Sequence, residues 1–276
     1  MQIPIERGEY FMNKYANKRI YIIVAIILTI SLFSISATAV QGPRSWYCIR
    51  NKNHKQPILD ANLSLIEDYG GMCVDRYHGD NCDDKVVYLT FDAGYENGNI
   101  ERILDVLKEE NVKGAFFVLG NIIKRDTALV VRMFEEGHLV CNHTYSHKSM
   151  VNLSFDDFCA ELSKLEDACK EYTGLELSKY YRPPEGQFDE ASLQYAQKLG
   201  YKTVFWSIAY DDWDNNRQMS QSKAMGKIMD NIHNGAIILL HPTSKTNADI
   251  MSELIKSIKS QGYRFGALDE IIGCEV

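Results

Sequence analysis

The chain has 276 residues, 45% hydrophobic and 24% charged, which is enough apolar material for a large core and excludes extensive disorder. A net charge of −7 and a pI near 5.5 exclude the broad basic face that nucleic-acid binding needs. The same charge opposes binding to an anionic membrane surface, so a neutral or small partner is expected.

The N-terminus departs from this average. Lys14, Lys18 and Arg19 precede an uncharged apolar run from Ile20 to Ile35, and Ala37-Thr38-Ala39 has the small-x-small pattern of a signal-peptidase site. Residues 1–40 are therefore expected to direct export. The run is longer than a usual signal core but short of the roughly 20 residues that cross ~30 Å of hydrocarbon. A cleaved signal and an uncleaved anchor both stay open, and the membrane is expected to be met only through this segment. Residues 41–84 read as an extension packed on the main domain, with a Trp46-Tyr47 pair and one helix predicted over Ala61–Tyr69, closed by Gly70-Gly71. Seven cysteines (Cys48, Cys73, Cys82, Cys141, Cys159, Cys169, Cys274) are odd in number and lack zinc-finger spacing. Cys48, Cys73 and Cys82 are the candidates for pairing if a disulfide forms.

From 85 to 276, short apolar runs alternate with amphipathic stretches of helical length, the pattern of βα units around a parallel sheet. Strands are predicted at Val86–Phe91, Ala115–Val118, Leu139–Cys141, Lys179–Arg182, Thr203–Ser207, Ala236–Leu240 and Arg264–Gly266. Helices are predicted at Ile100–Glu110, Ala128–Glu136, Phe155–Tyr172 with Ser154 as cap, Glu190–Leu199, Lys223–Asn231 and Ala248–Gln261.

Polar residues recur at the C-terminal ends of these strands: Asp92; Asn142, His143 and His147; Arg182; Asp211 and Asp212; His241. In barrels of alternating β and α units that rim is where loops converge on an active site. Taken singly, each has an ordinary explanation: a turn aspartate, surface histidines, a solvated arginine, a core histidine. Five at equivalent positions point to chemistry. His143 and His147 are four apart, a spacing that suits two ligands on one divalent ion.

The segments TFDAGYENG (90–98), NHTYSH (142–147), YRPPEG (181–186), AYDDW (209–213) and LLHP (239–242) resemble, in order and spacing, the five motifs of the polysaccharide deacetylase family, also called carbohydrate esterase family 4 or NodB-homology domains. The resemblance covers roughly 85–270. TFDAGYENG together with WYCIRN (46–51) is most similar to the delta-lactam-biosynthetic de-N-acetylases, which act on muramic acid of spore-cortex peptidoglycan. The fold this implies is α/β, an irregular (β/α)7-type barrel with an N-terminal extension. The residue roles it implies are Asp92 as general base, Arg182 as the cation holding it, His241 as general acid and Asp212 as its support. His143 and His147 are implied as ligands of a divalent metal ion, zinc being the expected one.

One position departs from the family pattern. Where the usual motif has a second aspartate as third metal ligand, this chain has Ala93. Two histidines without a carboxylate are expected to hold zinc weakly, with Asn97, Glu96 or water completing the shell. The expected activity is removal of N-acetyl groups from cell-wall glycan, most specifically N-acetylmuramic acid of peptidoglycan strands. A chitin-like or xylan deacetylase, and a glycan-binding member without catalysis, are the alternatives.

Overall fold

The computed structural model describes residues 42–48 and 53–271. The apolar run at 20–35, residues 49–51 of the WYCIRN stretch, and Cys274 lie outside the described residues. Before the barrel come β1 (Arg44–Ser45) and α1 (Leu65–Asp68). The barrel's first half comprises β2 (Val86–Ala93), α2 (Asn99–Glu109), β3 (Gly114–Val118), α3 (Gly120–Arg125), α4 (Thr127–Glu135), β4 (Leu139–Asn142) and α5 (Phe155–Thr173). There follow β5 (Ser178–Tyr181), β6 (Gln187–Phe188), α6 (Glu190–Lys198), β7 (Lys202–Thr203), α7 (Gln221–Met229), β8 (Ala236–Leu240), α8 (Lys245–Ser260) and β9 (Arg264–Phe265).

The main sheet is parallel, ordered β7-β5-β4-β3-β2-β8, and β9 joins β2. Because β8 already occupies one edge of β2 at Val87, β9 must add on the other edge, just before β3 begins at Leu89. β2 pairs with three strands, β3, β8 and β9, and its side chains alternate between two cores. Val87, Leu89, Phe91 and Ala93 pack with helix residues such as Ile103, Leu107, Leu254 and Ile258. Val86 and Tyr88 face inward with Ala115, Phe117, Cys141 and Ile237. A strand buried on both faces needs an almost unbroken apolar run, as β2 has. The inward series continues through Thr90 to Asp92, so the two-residue period of a strand carries a carboxylate to the inner rim.

The barrel closes irregularly. The predicted strand Thr203–Ser207 is regular only at Lys202–Thr203. Its continuation is shared among several partners: the Val204 amide donates to the Tyr181 carbonyl at 2.7 Å and the Ser207 amide to the Ile237 carbonyl at 2.9 Å. Isolated bridges pair Val204 with Met72 and Ile208 with Ile238. This segment crosses from the β5 edge to the β8 edge, which no single ladder allows. β2 also runs two residues beyond its predicted end, so Asp92 lies within the strand. α1 is shorter than Ala61–Tyr69, since the Asp60 carbonyl accepts from both the Leu63 and Ser64 amides and holds that stretch in turns.

Residues 42–84 contact the barrel in an apolar cluster where Trp46, Leu63, Ile66, Cys73 and Val74 pack with Phe188, Leu193 and Phe205, and Met72 packs into the inner core with Val86 and Tyr88. β1 pairs antiparallel with β6, and the Trp46 indole donates to the Trp206 carbonyl at 2.9 Å. Among the described residues the cysteines carry thiols and no disulfide; burial pushes the Cys73 thiol up to about 12. No helix of the described residues is long and apolar enough to cross a membrane.

Candidate active site

A cavity of about 800 Å³ opens at the C-terminal rim, lined by Asp92, His143, His147, His241, Asp211, Glu185 and the rings of Tyr47, Trp206, Tyr210 and Trp213, among others. Its chemistry rests on two pre-formed pairs. Arg182, fully buried inside the barrel, donates from Nη1 to Asp92 Oδ1 at 2.7 Å, from Nη2 to Thr90 Oγ1 at 2.8 Å and from Nε to the Val204 carbonyl at 3.1 Å. Its guanidinium lies 4.1 Å from the Phe117 ring centroid. A buried guanidinium so fully partnered has one orientation, and it fixes that of Asp92. Burial alone would raise the Asp92 pKa. The charges of Arg182, then His143 and His241, outweigh it and hold the carboxyl below its usual range.

The second pair is His241 and Asp212. Asp212 is buried; its Oδ1 lies 2.7 Å from His241 Nδ1, and its Oδ2 accepts from the His241 amide at 2.8 Å and from Asn247 Nδ2 at 2.6 Å. Burial of His241 opposes its protonation, but the hydrogen bond and charge of Asp212, with Asp92 adding, raise its pKa above the ordinary value. Asp211, the neighbouring aspartate, is exposed on the cavity wall.

His143 and His147 meet with ring centroids 5.0 Å apart, edge to face. His143 Nδ1 lies 2.9 Å from the Arg182 carbonyl, which can only accept, so the proton sits on Nδ1 and the Nε2 lone pair faces the cavity. Burial first, and the nearby charges of His147 and Arg182, push the His143 pKa down to about 4 against the pull of Asp92, leaving a neutral imidazole. Its Nε2 stands 3.5 Å from Asp92 Oδ2. Two acceptors facing at that distance fit a cation between or beside them. The described residues contain no cluster of three or more His, Cys, Asp or Glu side chains arranged to hold a metal.

Neither Glu96 nor Asn97 adds to this set. The Glu96 carboxylate accepts from the Gly98 and Ile100 amides at the start of α2, and Asn97 donates to the Thr243 carbonyl at 2.9 Å. Ala93 is fully buried in the apolar cluster around β2. The six residues to which the family resemblance assigns roles are thus gathered at one cavity, five on its surface or beneath it by direct contact with Asp92 and the sixth, Asp212, behind His241. Sequence reasoning missed Tyr47, Glu185, Trp206 and Trp213 on its wall. The available signals were Trp213 inside AYDDW and Glu185 inside the Pro183-Pro184 turn, where it takes a left-handed φ of 56°.

A parallel sheet curled into a barrel, with two charged pairs and two further histidines gathered at one cavity on its C-terminal rim, defines the class as an α/β enzyme with acid-base groups at one site. Comparison with known proteins narrows this. Residues 79–204 match the family profile described as polysaccharide deacetylase. The chain is 39% identical over 231 residues to peptidoglycan-N-acetylmuramic acid deacetylase PdaA of Bacillus subtilis, covering 83% of this chain and 86% of that one. It is 44% identical over 250 residues to an uncharacterized 30.6 kDa protein of Geobacillus stearothermophilus, covering 90% of this chain and 92% of that one. The solved structure of Bacillus subtilis PdaA, a family 4 carbohydrate esterase, superposes with a TM-score of 0.77 at 38% identity over 83% of this chain and 96% of that one. The chain belongs to the polysaccharide deacetylase family, carbohydrate esterase family 4, and is a deacetylase of the hydrolase class.

Proposed function

We propose that the protein is an exported peptidoglycan deacetylase that removes the N-acetyl group of N-acetylmuramic acid, in the reaction that leads to muramic delta-lactam in spore cortex. The observation that carries the reading is the pair of polar couples, Arg182–Asp92 and Asp212–His241, in contact with one cavity. Amide hydrolysis needs a base for water and an acid for the leaving amine, with separate pKa values. Asp92, held ionised by Arg182, takes the proton from the attacking water. His241, kept protonated by Asp212, gives a proton to the departing nitrogen, which leaves poorly as an anion. His143 and His147 would hold a divalent ion, whose chemistry when bound is to polarise the acetyl carbonyl and make water easier to deprotonate.

The substrate follows from the likeness to the muramic acid deacetylase PdaA and from the DAG form of the first motif. Export follows from the basic flank and apolar run at residues 14–39. Residues 41–84 are read as an extension that completes the deacetylase domain, because Tyr47 and Cys48 line the cavity. The non-catalytic reading is disfavoured by the two couples, since a binding site has no need of a complete proton-transfer set. The test treats peptide-free peptidoglycan, peptide-bearing peptidoglycan and chitin oligomers with purified protein and measures released acetate. Peptide-free strands are expected to be deacetylated best. Efficient action on chitin oligomers with none on peptide-free peptidoglycan would overturn the substrate assignment.

A further inference from the structure

His143 and His147 are held very differently. His143 is anchored from the barrel: its amide donates to the Val118 carbonyl at 3.1 Å and its ring is fixed by the Arg182 carbonyl. His147 is exposed, and its position depends on the loop that carries it. That loop is bent in an unfavourable way, because Thr144 and His147, neither of them glycine, adopt left-handed φ values of 70° and 58°. A branched residue such as Thr in this region costs about 1–3 kcal/mol and persists only where the surroundings over-determine it.

Those surroundings can be identified. Asn142 accepts from the Thr144 amide at 2.9 Å and is itself pinned by donating to Tyr201 Oη and the Leu162 carbonyl. Thr144 Oγ1 accepts from the His147 amide at 2.9 Å. The far side of the loop is closed by Glu161 on α5, a carboxylate only 7% exposed. Its Oε1 accepts both the Ser146 amide at 2.6 Å and the Ser146 hydroxyl at 2.5 Å, and its Oε2 lies 3.3 Å from Lys148 Nζ. Glu161 therefore grips the residues on either side of His147. A buried carboxylate on a helix is costly unless fully partnered, and all the partners named here belong to this one loop.

We infer that Glu161 is a positioning residue for the metal-binding loop: it sets His147 opposite His143 so that two imidazoles can share one ion. This rests on the reading of those histidines as metal ligands. Glu161 does not line the cavity and has no part in proton transfer. Its effect should therefore appear in metal affinity, as for other groups that orient metal ligands, whose loss costs about 10- to 100-fold in affinity.

The experiment is a chelator-competition titration of zinc into wild type, Glu161→Ala, Glu161→Gln, Ser146→Ala and His143→Ala, with thermal melts of each metal-free protein. Glu161→Ala is expected to weaken zinc binding about 10- to 100-fold while remaining folded. Glu161→Gln, which keeps an acceptor for the Ser146 amide, should recover most of that loss, and Ser146→Ala, which keeps one of the two bonds, should fall between. If Glu161→Ala does not fold, Ser146→Ala and Glu161→Gln carry the test, and weakening in the first with near-normal affinity in the second is the supporting result. Wild-type affinity in all three variants, with His143→Ala abolishing binding, would overturn the role of Glu161. Absence of zinc binding in the wild type would instead overturn the metal reading beneath it.

Discussion

At the scale of single residues, the account divides labour between a base and an acid, and each half is separately testable. Asp92→Asn and His241→Ala should each lower acetate release by ~10²-fold or more, with the circular dichroism of the fold unchanged. Turnover near wild type in either variant would remove that residue from the mechanism. The support given by Asp212 has a sign that can be worked out. The His241 pKa is raised, so the protonated acid is present below that pKa and is lost as pH rises through it. Activity should therefore fall on the alkaline side. Asp212→Asn removes the charge that raises the pKa, so its alkaline limb in kcat/KM should move to lower pH, and an unmoved limb would show that His241 does not set it. These residues were legible in the sequence because they stand at strand ends, where a polar side chain interrupts an apolar run. Glu161 was not legible: it sits in an ordinary helical pattern, and only the fold brings it to Ser146. Tyr47 was hidden because it belongs to the segment before the barrel, and only the fold brings it to the cavity wall.

At the scale of elements, the strands and long helices follow the apolar periodicity, and Ser154 caps α5 as expected by accepting from the Asp157 amide at 3.1 Å. α3 was missed because six residues are too few for a 3.6-residue period to show. The segment after Thr203 was misread because its sequence is strand-like while its hydrogen bonds go to three different elements. Long-range docking of this kind leaves little trace in sequence, except at glycines. Gly235 has φ 72°, and a Cβ there would lie 2.3 Å from the Asp75 carbonyl oxygen and 2.7 Å from Gln56 Nε2. It marks where residues 56–78 close over the start of β8, at the end of the barrel opposite His241. Gly235→Ala should lower unfolding free energy by about 2–4 kcal/mol, from left-handed strain and backbone overlap together. A urea titration checks this, and per folded molecule the activity should be unchanged. A wild-type midpoint would mean that this contact contributes little.

At the scale of the whole molecule, the proposed function joins a buried arginine inside the barrel, Asp92 and His241 at the rim and the two imidazoles of His143 and His147 into one assembly at a single cavity. Ala93 is the feature that sets this chain apart from the usual family motif, since it withdraws an anionic ligand and part of the charge neutralisation. An ion carried by two imidazoles should exchange readily. The central claim, metal-assisted acid-base deacetylation, is tested most directly by acetate release from peptide-free peptidoglycan before and after chelation, with the metal content of the same sample measured by elemental analysis. The account predicts protein that is partly empty as purified, loses activity quickly to a mild chelator and regains it with zinc or a similar divalent ion. Full activity in exhaustively chelated protein with no ion detected would contradict it, and would mean that His143 and His147 act on the substrate directly.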